Sequence, residues 1–200
     1  MEDGRPSNAL VVAVELCSLS YQPSKTTISD FISTGLFADG AGAVVVRGDD
    51  RATGVRLLAN AQHLVPASTQ VIAGTTSEHG FHFATNPAVR GTVGKVIPTV
   101  AAFLAANHAK PGDLAFVVCH TGGPAVLRAV ADGLDLAPEL LELSWQSLHQ
   151  VGNVSSVVVL DVLRRTFDQR RPDPGALGLI LAFGPGFTSE MLLGTWQQAH

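Results

Sequence analysis

Two short apolar runs restrict the fold of this chain more than any other feature of its sequence. Residues 10–16 read LVVAVEL and residues 114–119 read LAFVVC, and neither run alternates between apolar and polar side chains. Uninterrupted runs of this kind are typical of strands that are buried on both faces. Such strands need one layer of structure above them and another below, so the sequence predicts an α/β fold in which helices cover a sheet.

Helical and extended segments alternate along the rest of the chain. Apolar residues at helical spacing predict a helix over residues 26–37 and another over 92–107, where Pro98 should introduce a kink or a boundary. Gly40 and Gly42 are expected to form a tight turn. The remaining segments give predicted strands at 43–47, 55–65, 176–183 and 187–196, a hairpin or loop-rich excursion at 68–90, and helical pieces at 126–131, 140, 145–149 and 157–167.

The composition argues against several classes of protein. A net charge of −4 disfavours a nucleic-acid partner, and no apolar stretch reaches the roughly 18 residues of a membrane helix. Two cysteines cannot form a disulfide framework, which favours a cytoplasmic location, and no metal site is predicted because ligand-type residues do not cluster. With 200 residues, of which 46% are hydrophobic, we expect a flexible leader at 1–8 and one domain at 9–200.

His120 and Asn153 are the candidate catalytic residues. His120 follows the second apolar run and opens the segment HTGGP, at the strand end where ligands bind in open α/β sheets. Asn153 lies in GNVSS before a predicted helix. Taken singly, His120 is explained equally well by a catalytic role and by capping of the following helix. Asn153 taken singly is explained better as a helix cap than as a catalytic residue. As a pair, they are able to donate hydrogen bonds to one oxygen and so stabilise an enolate or a tetrahedral oxyanion.

The two cysteines show no sign of nucleophilic activation. Cys119 lies inside the second apolar run, where a buried and inert thiol is expected. Cys17 follows the first run, and the end of a strand lacks the positive surroundings that activate a thiolate.

Five motifs, taken together, resemble the type III polyketide synthases, the chalcone- and stilbene-synthase-like enzymes. HTGGP at 120–124, GNVSS at 152–156 and FGPG at 183–186 occur in the order and spacing of that family. VELCSLSY at 14–21 and LFADGA at 36–41 are similar to its bacterial branch. The resemblance extends from about residue 10 onward and covers the family's C-terminal half. It implies half of a thiolase-like αβαβα sandwich, with a mixed sheet covered by helices.

The resemblance also implies a chemistry. In that family a Cys–His–Asn triad loads an acyl group from CoA, decarboxylates malonyl-CoA and joins the resulting carbanion to the acyl thioester. His120 and Asn153 match the family's catalytic His and Asn, Phe37 and Phe83 match its gating phenylalanines, and Ala125 lies near its CoA tunnel. The further cavity positions that it implies are Cys17, Ser20, Gly74, Ser155 and Pro185. Acyl-CoA and malonyl-CoA are the implied substrates, with no additional cofactor, and a homodimer is the implied assembly.

One departure from the family leaves three interpretations open. The nucleophilic cysteine of the family would fall before Met1, so we expect the chain alone to form no acyl-enzyme. The chain is then the C-terminal portion of a synthase whose activity belongs to the whole enzyme. Alternatively, it is a stand-alone His/Asn-dependent malonyl-thioester decarboxylase or polyketone cyclase. The third interpretation is a non-catalytic partner of a separate N-terminal half, because half a sandwich exposes apolar strand surface.

Overall fold

A computed structural model of the chain describes residues 8–23, 27–49, 51–78, 80–85 and 87–199. The strands in these ranges are β1 (Asn8–Glu15), β2 (Gly40–Arg47), β3 (Gly54–Leu64), β4 (Ile72–Ser77), β5 (Gly80–Thr85), β6 (Phe116–Cys119), β7 (Leu177–Gly184) and β8 (Thr188–Gln197). The α-helices are α1 (Ile28–Leu36), α2 (Val89–Ala106), α3 (Pro124–Leu134), α4 (Glu142–Val151) and α5 (Val157–Arg165). Most of the predicted leader lies outside the described residues, and Asn8 already belongs to β1.

A four-stranded mixed sheet forms the centre of the fold. Its strand order is β3-β8-β7-β6, with β6 parallel to β7 and the other neighbours antiparallel. Alternate residues of β6 point to opposite faces, so Val117 packs in one core with α2 and α3 while Val118 packs in another with α5. The predicted α/β fold, a mixed sheet covered by helices, is therefore confirmed.

The second apolar run forms a strand that is buried as predicted. All four residues of β6 are buried, and Cys119 is 0% exposed. The helix predicted before it is also present, and its buried side chains include Val93, Val96 and Val100 at helical spacing. Pro98 lies on an outer face of α2 and does not end the helix.

By length and composition, α2 could span a membrane, with 18 residues and a mean hydropathy of 1.3. Its apolar stripe packs instead on the central sheet and on α3. The core helix of a globular protein has this same combination of length and apolar composition, so α2 gives no indication of membrane insertion.

The first apolar run forms a strand, but the prediction that both its faces are buried is wrong for this chain. β1 pairs only with β2, in a two-stranded antiparallel sheet apart from the central one. Leu10, Val12 and Val14 are 66%, 59% and 62% exposed. The physical reason is that, among the described residues, only one face of this two-stranded sheet is covered, by the N-terminal part of α5. No described layer packs on its other face.

Gly40 and Gly42 lie inside β2, so the predicted tight turn is also wrong. Gly40 faces the segment just before α5, where a Cβ at residue 40 would lie 3.1 Å from the Val154 Cβ, and Gly42 faces α5 itself. A Cβ at residue 42 would lie 3.1 Å from the Leu160 Cδ1. These glycines therefore permit close approach of a strand to a helix, a role that the sequence pattern does not distinguish from a turn.

Candidate active site

A cavity of about 400 Å³ opens beyond the carboxyl end of β6. Its walls come from segments that are distant in sequence: the end of α1, β5, the start of α2, the β6–α3 connection, the segment before α5 and the loop after β7. Seven of the predicted site residues line it, namely Phe37, Phe83, Ala125, His120, Asn153, Ser155 and Pro185. The structure therefore brings the two candidate catalytic residues into one cavity.

His120 enters this cavity directly from the central sheet. Its backbone N–H donates to the Leu181 carbonyl at 2.8 Å, which continues the pairing of β6 with β7. The following turn leaves little room for a side chain, since a Cβ at Gly122 would lie 3.2 Å from the imidazole Cδ2 of His120. Burial lowers the pKa of His120 to about 4, although the negative charge of Glu15 acts in the opposite direction. At neutral pH the imidazole is therefore uncharged, with one N–H donor and one acceptor nitrogen.

The low pKa of His120 gives a direct prediction for NMR. We expect its imidazole C–H resonances to titrate near pH 4, well below the ordinary histidine pKa of 6.5. Between pH 4 and 6.5 the folded state binds fewer protons than the unfolded state, so this group makes the protein less stable as the pH falls through that window. The signal is assigned by its loss in His120→Gln. A midpoint near 6.5 would contradict the prediction.

Asn153 is 3% exposed, and its amide orientation is set by its own loop. Its Oδ1 accepts a hydrogen bond from the backbone N–H of Ser155 at 2.9 Å, whereas its Nδ2 group makes no hydrogen bond to the described residues. The loop is anchored to the end of α1, because the Asn153 N–H donates to the Leu36 carbonyl at 2.7 Å. The Ala38 N–H in turn donates to the Asn153 carbonyl at 3.1 Å. A buried donor is thus directed at the cavity by a fixed backbone.

Glu15 supports the same loop from β1 and was missed by the sequence analysis. Its Oε1 accepts hydrogen bonds from the Ser156 backbone N–H at 3.2 Å and from the Ser156 hydroxyl at 2.5 Å. The carboxylate therefore serves the start of α5, where backbone N–H groups lack helical partners. The only sign of Glu15 in the sequence is that it is acidic in an otherwise apolar strand. That sign does not show which groups the carboxylate contacts.

Phe37 and Phe83 meet at the wall of the cavity. Their ring centroids are 5.2 Å apart and the ring planes are 80° from parallel, an edge-to-face pair. Both residues also line a second cavity of about 200 Å³. The two residues predicted to gate the site thus border both cavities.

Cys17 and Ser20 line this second cavity rather than the one that holds His120. Burial raises the pKa of the Cys17 thiol, and the charges of Glu15 and Asp39 raise it further. Burial alone raises the pKa of Cys119 to about 12. Both thiols are therefore held neutral, and the expectation that neither is a nucleophile stays a prediction.

Gly74 and Pro185 differ in how they relate to the site. Gly74 pairs with Phe83 across the β4–β5 hairpin, whose presence was predicted, but Gly74 lines neither of the two cavities, and its cavity role stays a prediction. Pro185 lines the larger cavity, in a loop whose Phe187 carbonyl accepts from the Val65 N–H at 2.9 Å. The Phe187 N–H donates to the Ser68 hydroxyl, which ties this loop to the end of β3.

Within the described ranges, no three His, Cys, Asp or Glu side chains gather into a possible metal site.

Comparison with known proteins places this geometry beside characterised relatives. Residues 56–195 match the family model of the chalcone and stilbene synthases, C-terminal domain. The chain is 40% identical over 193 residues to 1,3,6,8-tetrahydroxynaphthalene synthase of Streptomyces coelicolor, covering 96% of this chain and 51% of the relative. It is 38% identical over 191 residues to phloroglucinol synthase of Pseudomonas fluorescens, covering 95% and 54%. The chain thus spans about half the length of the curated relatives it matches.

Solved structures agree with these sequence matches. The crystal structure of the same tetrahydroxynaphthalene synthase, described as a bacterial type III polyketide synthase, superposes with a TM-score of 0.92, covering 96% of this chain and 55% of that one at 40% identity. Germicidin synthase of Streptomyces coelicolor, described as a type III polyketide synthase, gives a TM-score of 0.86 at 29% identity, covering 94% and 50%. The fold is therefore shared along almost the whole of this chain.

Proposed function

The chain belongs to the chalcone and stilbene synthase family, and from this premise we propose that it forms the C-terminal half of a working type III polyketide synthase. The enzyme in this proposal condenses acyl-CoA starters with malonyl-CoA by decarboxylative Claisen condensation. The observation that carries the proposal is the shared cavity of His120 and Asn153, whose Nδ2 has no partner among the described residues. We place the enzyme in the cytoplasm on its cysteine usage, and we expect it to form a homodimer.

The first proposed step is loss of carbon dioxide from a malonyl thioester. The thioester oxygen accepts hydrogen bonds from an N–H of His120 and from Nδ2 of Asn153. When the bond to the carboxylate carbon breaks, its electron pair is delocalised onto that oxygen as an enolate. Two fixed donors stabilise this charge without reorganising, and the apolar walls of the cavity strengthen the interaction.

The second proposed step forms the carbon–carbon bond. The enolate carbon attacks the carbonyl carbon of an acyl thioester, and the tetrahedral oxyanion that results collapses with expulsion of a thiolate. In this proposal the thiolate belongs to a cysteine outside this chain, because Cys17 lines the cavity that lacks His120 and Cys119 is buried in the core. We therefore assign the acyl-carrying cysteine to an N-terminal half, whether on the same polypeptide or on another.

Exposed apolar surface on the two-stranded sheet and on α1 supports this division into halves. Val12 and Val45 are each 59% exposed, and Phe31 on α1 is 64% exposed. Apolar side chains exposed to this extent mark an interface rather than a solvated face. In the proposal the N-terminal half supplies the missing layer over β1 and β2. We call the chain together with that half the completed synthase.

The test compares the purified chain with the completed synthase. We expect the chain alone to bind an apolar dye and to make no polyketide from acyl-CoA and malonyl-CoA, as read by mass spectrometry. The completed synthase should release product and bind less dye, because its apolar sheet is covered. Product from the chain alone, or a monodisperse monomer without dye binding, would contradict the proposal. Carbon dioxide release by the chain alone that is lost in His120→Ala would favour a stand-alone decarboxylase.

A further inference from the structure

We propose that Arg90 binds a phosphate group of the CoA thioester at the mouth of the site cavity. This inference rests on the proposed function and extends it, because it assigns to this chain a contact with the carrier part of the substrate. Arg90 lies at the rim and takes no part in the chemical steps, so its proposed role is in binding only.

The charge of the cavity wall favours an anionic ligand. The whole chain carries 17 acidic and 13 basic residues. Among the described residues that line the cavity, however, none is acidic and Arg90 alone carries a permanent charge. The wall is otherwise apolar, apart from His120, Asn153 and Ser155. In a chain of net negative charge, a cavity with a single uncompensated cation is suited to an anionic ligand.

The position of Arg90 in α2 also favours an anion as its partner. It lies in the first turn of the helix, where a cation is repelled by the positive end of the helix dipole. No side chain caps this helix, and its first turn holds no acidic residue. Arg90 is exposed and forms no ion pair or hydrogen bond with the described part of the chain. A phosphate at this rim would therefore be attracted both by the guanidinium group and by the helix terminus.

The neighbours of Arg90 indicate on which side the phosphate lies. Arg90 also borders an open groove between α2 and α3, but that groove contains the carboxylate of Asp132, which repels an anion. On its other side, Arg90 shares the cavity wall with Val89 and Ala125, and Ala125 is the residue predicted to lie near the CoA tunnel. A pantetheine arm entering here leads toward His120 and Asn153, while its phosphate stays at the rim.

The experiment uses substrates with and without phosphate. In the completed synthase, Arg90→Gln should raise the KM for malonyl-CoA about tenfold, the loss typical of one charge-assisted contact. With malonyl-pantetheine, which has no phosphate, the KM should change less than twofold. Lys95→Gln is the matched control: Lys95 is exposed on the same helix and lines neither the cavity nor the groove, so this variant should behave as wild type. The KM increase should shrink at high salt.

The outcomes separate this inference from the function on which it rests. An unchanged KM for malonyl-CoA, or an equal rise with both thioesters, overturns the role of Arg90 and leaves the proposed function intact. Failure of the wild-type completed synthase to use malonyl-CoA overturns the proposed function and this inference with it. Malonyl-4′-phosphopantetheine identifies the phosphate: an Arg90 effect that persists with it assigns the phosphate next to pantetheine, and an effect seen with CoA alone assigns the nucleotide phosphates.

Discussion

Replacing Asn153 by aspartate should lower the kcat of the completed synthase by about 10²- to 10³-fold, the range measured when one oxyanion donor is removed. The substitution is nearly isosteric. One carboxylate oxygen still accepts the hydrogen bond that Oδ1 takes from the Ser155 N–H at 2.9 Å. The other oxygen replaces Nδ2, so an acceptor stands where the enolate oxygen requires a donor. The loop therefore keeps its local hydrogen bond while the site loses its chemistry.

Asn153→Ala is the comparison that separates catalysis from capping. If Asn153 only stabilises the loop, the aspartate variant should be fully active, and the alanine variant should lose about 1 kcal/mol of stability. If Asn153 donates to the reacting oxygen, the aspartate variant should be at least as inactive as the alanine variant. Steady-state release of carbon dioxide and product gives kcat, and urea unfolding gives stability. An aspartate variant with wild-type kcat would assign Asn153 to capping.

The same experiment with His120 tests whether both residues act on one oxygen. His120→Ala should cost a loss of kcat similar to that of Asn153→Ala. Because residues that act as a unit are strongly non-additive, the double variant should be far more active than the product of the two single effects predicts. Purely multiplicative losses would instead indicate that His120 and Asn153 contribute independently to the barrier.

The parts of the fold that depend on local pattern could be predicted from the sequence. The run at residues 114–119 is buried on both faces because β7 lies beside it and helices lie above and below. The run at residues 10–16 has the same pattern, yet β1 is exposed, because burial depends on a neighbouring layer that no local pattern can report. The tight turn predicted at Gly40 and Gly42 is wrong for a related reason. A turn and the close approach of another segment both favour glycine, so the residue type alone does not distinguish them.

The site shows the same division between local and tertiary information. His120 and Asn153 were each ambiguous in their own segments. The sequence predicted them as a pair, and the fold brings them into one cavity. Glu15 and Arg90 have no local signature at all, since a carboxylate on β1 acts on the start of α5 and a cation on α2 stands at a rim formed by other segments. Their roles follow from which elements the fold brings together.

Gly152→Ala should be the most damaging single-methyl change at the site. Gly152 has φ +73, a conformation that L side chains rarely adopt, and a Cβ there would lie 2.7 Å from the Leu36 carbonyl oxygen. That carbonyl cannot move freely, because it also accepts the Asn153 N–H at 2.7 Å. Backbone strain and overpacking each cost about 1–3 kcal/mol, so we expect a loss of about 2–4 kcal/mol in the free energy of unfolding.

Gly94→Ala provides the matched control for this loss, because it adds the same methyl group inside α2 with no atom within 4 Å of the new Cβ. It should raise stability by up to about 1 kcal/mol, as glycine to alanine does in a helix interior. Urea unfolding of the two variants beside wild type measures both changes. A loss below about 0.5 kcal/mol for Gly152→Ala would show that the loop yields to the methyl group.

If the loop is as rigid as the contacts of Leu36 require, the same variant should also lose activity in the completed synthase. The reason is that the methyl group displaces Asn153 and the Phe37 segment that pairs with it.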